Sequence, residues 1–450
     1  MKYLKRNGVT DEMVNGYLNN MFRPIGINHG SNHYTYNRGS KNAWTNAQGQ
    51  KFIETLHKEY DKHKNPAIDV RFGFNDENPK EDAKEDFSVS KNNKESSKEL
   101  NRKSEVNHKS TISTKNNVKQ CIKSVTHVKG KQMCKDQLIF NENFESIRKN
   151  IWNIDQKIAG APDYEFVVYV DRAETREIMR GASINIKPVL IEDIFGPKIF
   201  EDGIDLGKNC TEKTKPQDCK MKPDAGFMVP PIASAQMNTK NKFSFRYGFV
   251  EIRAKLPAGD WIYPILYLNP MRELYGKLYE SGQIRIAFTE GNEINNQELK
   301  GGIILGLNTK ARNYGMRNIT RMNRWSDTFH KYQLKWTPES FFLSVDGIEY
   351  GIIEPPIAGF VSLTDDLKIP NSEDWRSGSP LAPFDKEMYL QVGVGVGGFN
   401  FDDRLDGSKP WRNGERLQVK KFYEDKDNWL PSWKDGKNTL NIDYIKIWAL

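Results

Sequence analysis

Cysteine supplies the first readable chemistry in this chain, because Cys121 with Cys134 and Cys210 with Cys219 form two local pairs. Four cysteines permit three connectivities, and loops this short make the local pairing the simplest. Paired cysteines point to an oxidising compartment. The sequons Asn209-Cys210-Thr211 and Asn318-Ile319-Thr320 agree with that reading. There is no Cys-x-x-Cys, and His330 is the only histidine after His127. Zinc clusters and Cys/His or Ser/His/Asp triads therefore find no support in the C-terminal part, and no cofactor or metal is implied. Gly393-Val-Gly-Val-Gly-Gly398 looks like a nucleotide-binding loop, but no helix follows and 399–404 reads as loop. Close packing between strands explains these glycines better.

The elements that must position any site begin late in the chain. Residues 1–74 offer two helix-like stretches, Thr10–Phe22 and Ala47–His63, to which no function attaches. Residues 75–120 are mainly Lys, Glu, Asn and Ser, too poor in apolar area to offset the entropy of ordering, and read as a disordered polar linker. From 121 to 450 the texture changes to short β-branched and aromatic runs separated by Gly, Pro and Asn/Asp turns, as in Phe245–Ala254, Ile284–Phe288, Tyr332–Trp336, Met388–Val396 and Leu440–Ala449. Many short strands without interposed amphipathic helices predict an all-β, two-sheet sandwich. Val345-Asp-Gly-Ile348 predicts a type I′ hairpin, since Asp-Gly tolerates positive φ at both central positions. The last strand, Asn441–Trp448, should place one face in the core.

Charge excludes some partners. A net charge of +8 from 67 basic and 59 acidic residues mixes signs along most of the chain, with no basic element or module of the kind that reads nucleic acid. No apolar run approaches the ~18–20 residues that a membrane span needs. The opening Met1–Gly8 has no apolar stretch behind it, so no signal peptide is visible. Against that, the cysteines and sequons favour a secreted protein whose start is altered or mis-assigned in this sequence, the alternative being a cytosolic form with reduced thiols.

Several separated blocks occur in a telling order: Gln137-Leu-Ile-Phe-Asn-Glu-Asn-Phe144, Ser234–Lys240, Phe243–Pro257, Gly259-Asp-Trp-Ile-Tyr-Pro264, Ser281–Asn292, Lys409-Pro-Trp-Arg-Asn-Gly414 and Asn428-Trp-Leu-Pro-Ser-Trp433. On these blocks the region from Cys121 to Leu450 resembles the insect β-1,3-glucan recognition proteins, also called Gram-negative bacteria-binding proteins. Their larger domain is a family 16 glycoside hydrolase jelly roll. The resemblance implies a pattern-recognition protein of innate immunity that binds microbial β-1,3-glucan and promotes a serine-protease cascade. Members commonly carry a small N-terminal glucan-binding β-sandwich, and nothing in Met1–Phe74 matches it.

The resemblance also locates a site. Retaining glycosidases hold two carboxyl groups about 5–5.5 Å apart. Family 16 enzymes place theirs on one strand, as Glu-x-Asp-x-x-Glu or Glu-x-Asp-x-Glu. Here the strand reads Gln283-Ile-Arg-Ile-Ala-Phe288. Gln283 falls at the nucleophile position, Arg285 at the assisting Asp and Phe288 at the acid/base; in the shorter pattern the last position is Ala287. An amide is a poor nucleophile and a phenyl ring has no proton to give, so the resemblance implies a domain without hydrolysis. Glu290 is the nearest downstream carboxylate and the basis of a competing reading as a residual glucanase. Glu59-Tyr60-Asp61 is the only Glu-x-Asp in the chain. By the resemblance, sugar contact falls to Trp261, Tyr263, Tyr267, Trp411, Gln283, Arg285 and His330, whose ring could also hydrogen-bond Gln283. In a third reading Arg285 and Phe288 plug the cleft, and the domain is a scaffold for proteins.

Overall fold

Alternation along Gly248–Lys255, where every second residue is buried, shows how these short runs become half-buried strands. The structure, a computed structural model, describes residues 121–450 apart from 213, 214, 371, 405 and 406. The expectations for 1–120, the two helix-like stretches, the linker and Glu59–Asp61 among them, lie outside the described residues.

Two antiparallel sheets form the domain. One runs in the order Ile348–Ile353, Phe341–Val345, His330–Trp336, Gly248–Lys255, Leu440–Trp448, Ser183–Ile186, Arg176–Met179, with Leu138–Glu142 also on Leu440–Trp448. The other runs Gly315–Thr320, Glu298–Ile304, Gln283–Phe288, Ile262–Pro270, Met388–Val396, Phe245–Arg246, Lys123–Val128, Lys131–Cys134, and Gln236–Asn238 joins it on Met388–Val396. Val250, Ile252, Ile442 and Ile445 of the first sheet and Leu266, Leu268, Leu390 and Val392 of the second belong to one buried cluster. The predicted two-sheet sandwich is thus what the chain forms, and a small sheet containing the parallel pair Val167–Tyr169 and Ile232–Ser234 is added to it.

Local expectations meet their physical tests. Asp346 and Gly347 both have positive φ, 52° and 83°, and join Phe341–Val345 to Ile348–Ile353. Disulfides link Cys121 to Cys134 and Cys210 to Cys219. Gly393, Gly395 and Gly397 lie on or just after the Met388–Val396 strand, and a Cβ on Gly395 would sit 2.3 Å from the Tyr263 ring. Their role is close approach of neighbours. In the last strand the core face holds Ile442, Ile445 and Ile447 because the register shifts between Arg253 and Ala254, which resets the alternation. Sequon residues Asn209 and Asn318 are both exposed.

Ile252 is wholly buried between the sheets. Ile252→Ala should cost about 2–5 kcal/mol, read as a lower urea midpoint with an unchanged slope.

Candidate functional site

Strand register decides which side chains share a face. Tyr267 stands opposite Arg285, and Ile262–Pro270 also pairs with Met388–Val396, setting Asn269 opposite Tyr389, Tyr267 opposite Gln391 and Tyr263 opposite Gly395. Toward its other neighbour, Arg285 pairs with Gly302 but Phe288 with Lys300, so one strand advances three residues while its partner advances two. That bulge returns Phe288 to the face of Gln283 and Arg285. The Arg285 guanidinium accordingly lies 4.9 Å from the Tyr267 ring centre and 5.2 Å from that of Phe288.

A chain of polar contacts crosses this face. Arg285 Nε donates to Gln283 Oε1 at 2.9 Å, Gln283 Nε2 donates to Asn269 Oδ1 at 2.9 Å, and Asn269 donates in turn to Gln391. At the other end Arg285 Nη2 donates to the Tyr279 hydroxyl at 3.2 Å, which donates to Asp163 Oδ2 at 2.6 Å. Asp163 also pairs with Arg312 at 2.7 Å and lies 3.7 Å from Arg285. Burial would raise the Asp163 carboxyl, but Arg312 and then Arg285 hold it below the usual carboxylate range. Two residues on, burial and the Asp163 charge push Glu165 up to about 7.

Trp261, Tyr263, Tyr267, Gln283, Arg285 and Trp411 each expose 5% or less of their surface, so none offers an open ring face or amide to solvent. Trp261 and Trp411 pack edge to face at 5.0 Å, and Trp411 also meets Phe166 and Phe422. These tryptophans are core residues in this conformation. The buried hydroxyls of Tyr263 and Tyr267, like the Trp411 indole nitrogen, have no hydrogen-bond partner among the described residues. His330 is a correction: it belongs to the opposite sheet, with Nδ1 2.5 Å from Asp346 Oδ2 and its ring against Trp325, and it makes no hydrogen bond to Gln283. Glu290 pairs with Arg404 at 2.6 Å and accepts from Asn295.

Sequence reasoning missed Asp163, Glu165, Tyr279, Arg312, Asn269 and Gln391. Asp163 and Tyr279 are 116 positions apart, and no local spacing announces such a contact. Asn269 and Gln391 were within reach, because strand parity carries the polar face outward from Gln283. Among the described residues no group of three or more His, Cys, Asp or Glu side chains could hold a metal ion.

Fold and face together define an antiparallel β-sandwich whose central polar surface is made of amides, phenols and guanidinium groups. No family model matches the chain. It is 45% identical over 333 residues to the β-1,3-glucan-binding protein of Tenebrio molitor, covering 73% of this chain and 69% of that protein. To Gram-negative bacteria-binding protein 1 of Drosophila melanogaster it is 34% identical over 341 residues, covering 71% and 66%. The chain belongs to the β-1,3-glucan-binding protein family. Similar solved structures include the laminarinase of Rhodothermus marinus, at 20% identity and a TM-score of 0.43 over 72% of this chain and 98% of that one. Another is the laminarinase catalytic domain of Thermotoga maritima, at 19% and 0.43 over 70% and 99%.

Glu165 makes the site's charge state pH-sensitive. The folded protein keeps its proton up to about pH 7, whereas the ordinary value is 4.5. Between those values the folded state binds more protons than the unfolded one, so this residue's contribution to stability falls as pH rises. Above the upper value the penalty is complete. Its surroundings are Asp163, Lys157 and the Tyr169 hydroxyl, which donates to Glu165 Oε1 at 3.3 Å. Glu165→Gln keeps that acceptor and removes the charge. The urea midpoint of the variant should therefore exceed that of the wild type near pH 8 and match it near pH 4.

Proposed function

We propose that this protein is a non-catalytic receptor for microbial β-1,3-glucan, acting outside the cell in pattern recognition upstream of serine proteases. The observation that carries the reading is the face itself. Gln283, Arg285 and Phe288 stand together on it, and the family 16 pattern would assign these three positions to its acids. An amide held by Arg285 and Asn269 cannot attack an anomeric carbon, and Phe288 cannot protonate a leaving oxygen. Glu290, the carboxylate on which residual hydrolysis would depend, is engaged by Arg404 and Asn295.

Binding needs polar groups and a ring within reach. Asn269, Gln391 and Tyr389 are half-buried and share the face with Gln283. Amides suit sugar hydroxyls, and a phenol ring suits the apolar face of a pyranose. Trp261 and Trp411 shape the floor by packing, and Arg285 fixes Gln283. The names of the relatives support glucan as the ligand. Paired cysteines and exposed sequon residues support an extracellular setting.

Titration with laminarin tests the surface. Tyr389→Ala should weaken binding roughly tenfold, and Glu290→Gln should leave it unchanged. Equal affinity in wild type and Tyr389→Ala would remove this face from the reading.

A further inference from the structure

A groove of about 720 Å³ opens on the same sheet and is separate from the buried Gln283–Arg285 contacts. Its position follows from register. Phe245 and Met388 are opposed and both point into the core, so the flanking Arg246 and Glu387 point to the outer face that carries Gln391 and Tyr389. His127 stands opposite Arg246 on the next strand. Lys129, Arg272 and Lys386 complete a basic lining.

The lining's cations exceed its anions. Among the described residues Lys129, Arg246 and Arg272 have no carboxylate within ion-pair distance, and Lys386 has Asp385 at 3.5 Å. Glu387 is the only acid in the lining, and both its oxygens are engaged. Oε1 accepts the Gly130 N–H at 2.5 Å and Oε2 the Ser244 hydroxyl at 2.7 Å. Arg246 touches His127 Nδ1 at 3.3 Å and the Asp385 carbonyl at 3.5 Å, while its buried Nε has no partner. Like charges converging on a concave wall concentrate a positive potential, and guanidinium groups are forks for carboxylates. A neutral glucan brings nothing to neutralise them. Met271 and the half-exposed Leu274 add apolar surface beside the cations, which a sugar ring can cover and a bare inorganic anion cannot.

We infer that this groove is a second binding site, for an acidic glycan carrying uronate carboxylates. Arg246 and Arg272 grip the carboxylates, Lys129 and Lys386 add long-range attraction, and Met271 and Leu274 lie against the ring. It is independent of the glucan reading, because it uses other residues and other ligand chemistry.

The test is anisotropy of a labelled oligogalacturonate with the full chain at about 50 mM and about 300 mM salt, with inorganic polyphosphate as competitor. Laminarin binding is measured separately on each preparation. Wild type should bind the oligogalacturonate more tightly at the lower salt. Arg246→Gln with Arg272→Gln should weaken it roughly tenfold or more, without changing laminarin affinity or the melting temperature. Arg272→Gln alone alters only an exposed side chain and should give a partial loss, which guards against a misfolded double variant. The inference is overturned if oligogalacturonate does not bind, if the variants bind it as well as wild type, or if polyphosphate displaces it at equal charge concentration.

Discussion

A buried carboxylate between two guanidinium groups governs this molecule. Asp163 reaches Arg312 and Arg285, and it takes the Tyr279 hydroxyl as well. A single buried cation is costly, so Arg285 can stand on a sheet face among aromatic rings only because that acid compensates it. Everything on the face then follows in sequence. Arg285 fixes the Gln283 carbonyl oxygen, Gln283 fixes Asn269, and Asn269 fixes Gln391. A nucleophilic acid at 283 would meet an environment built to hold an amide.

The same arrangement separates recognition from reaction. Catalysis would need acids aimed at one reacting carbon, whereas recognition needs hydroxyl partners and ring surface spread over several sugars. The buried end of the face is occupied by its own hydrogen bonds, and under the proposed reading the half-buried end at Asn269, Gln391 and Tyr389 would supply a ligand's donors and acceptors. Glu165, sharing its neighbourhood with Asp163, makes the closed end respond to pH because burial and the nearby Asp163 charge both raise its carboxyl.

Much of the architecture was legible because it is local. Strand periodicity, the Asp346-Gly347 turn and the short cysteine loops each depend on residues close in sequence, and period-two parity was enough to place Gln283 and Arg285 together. Phe288 joins them only through a bulge, which the family pattern implied and composition alone could not. What escaped was long-range. Asp163 lies in a turn and Arg312 in the short helix Thr309–Asn313, both far in sequence from the strand of Arg285, and an isolated acid or arginine carries no sign of its partner. Aromatic residues misled for a related reason: a tryptophan after a Gly-Asp turn reads the same whether it faces a sugar or, like Trp261, packs against Trp411 and Phe401. His330 opens the strand His330–Trp336 rather than preceding it, and that strand belongs to the other sheet, so Asp346 is its partner.

The central claim, binding without cleavage, is tested most directly by incubating purified protein with laminarin and measuring bound polysaccharide and chain-length distribution in the same sample. The account predicts retained laminarin of unchanged length and no new reducing ends. Shortened chains that persist through purification and disappear in Glu290→Gln would contradict it, as would a protein that leaves all the laminarin unbound.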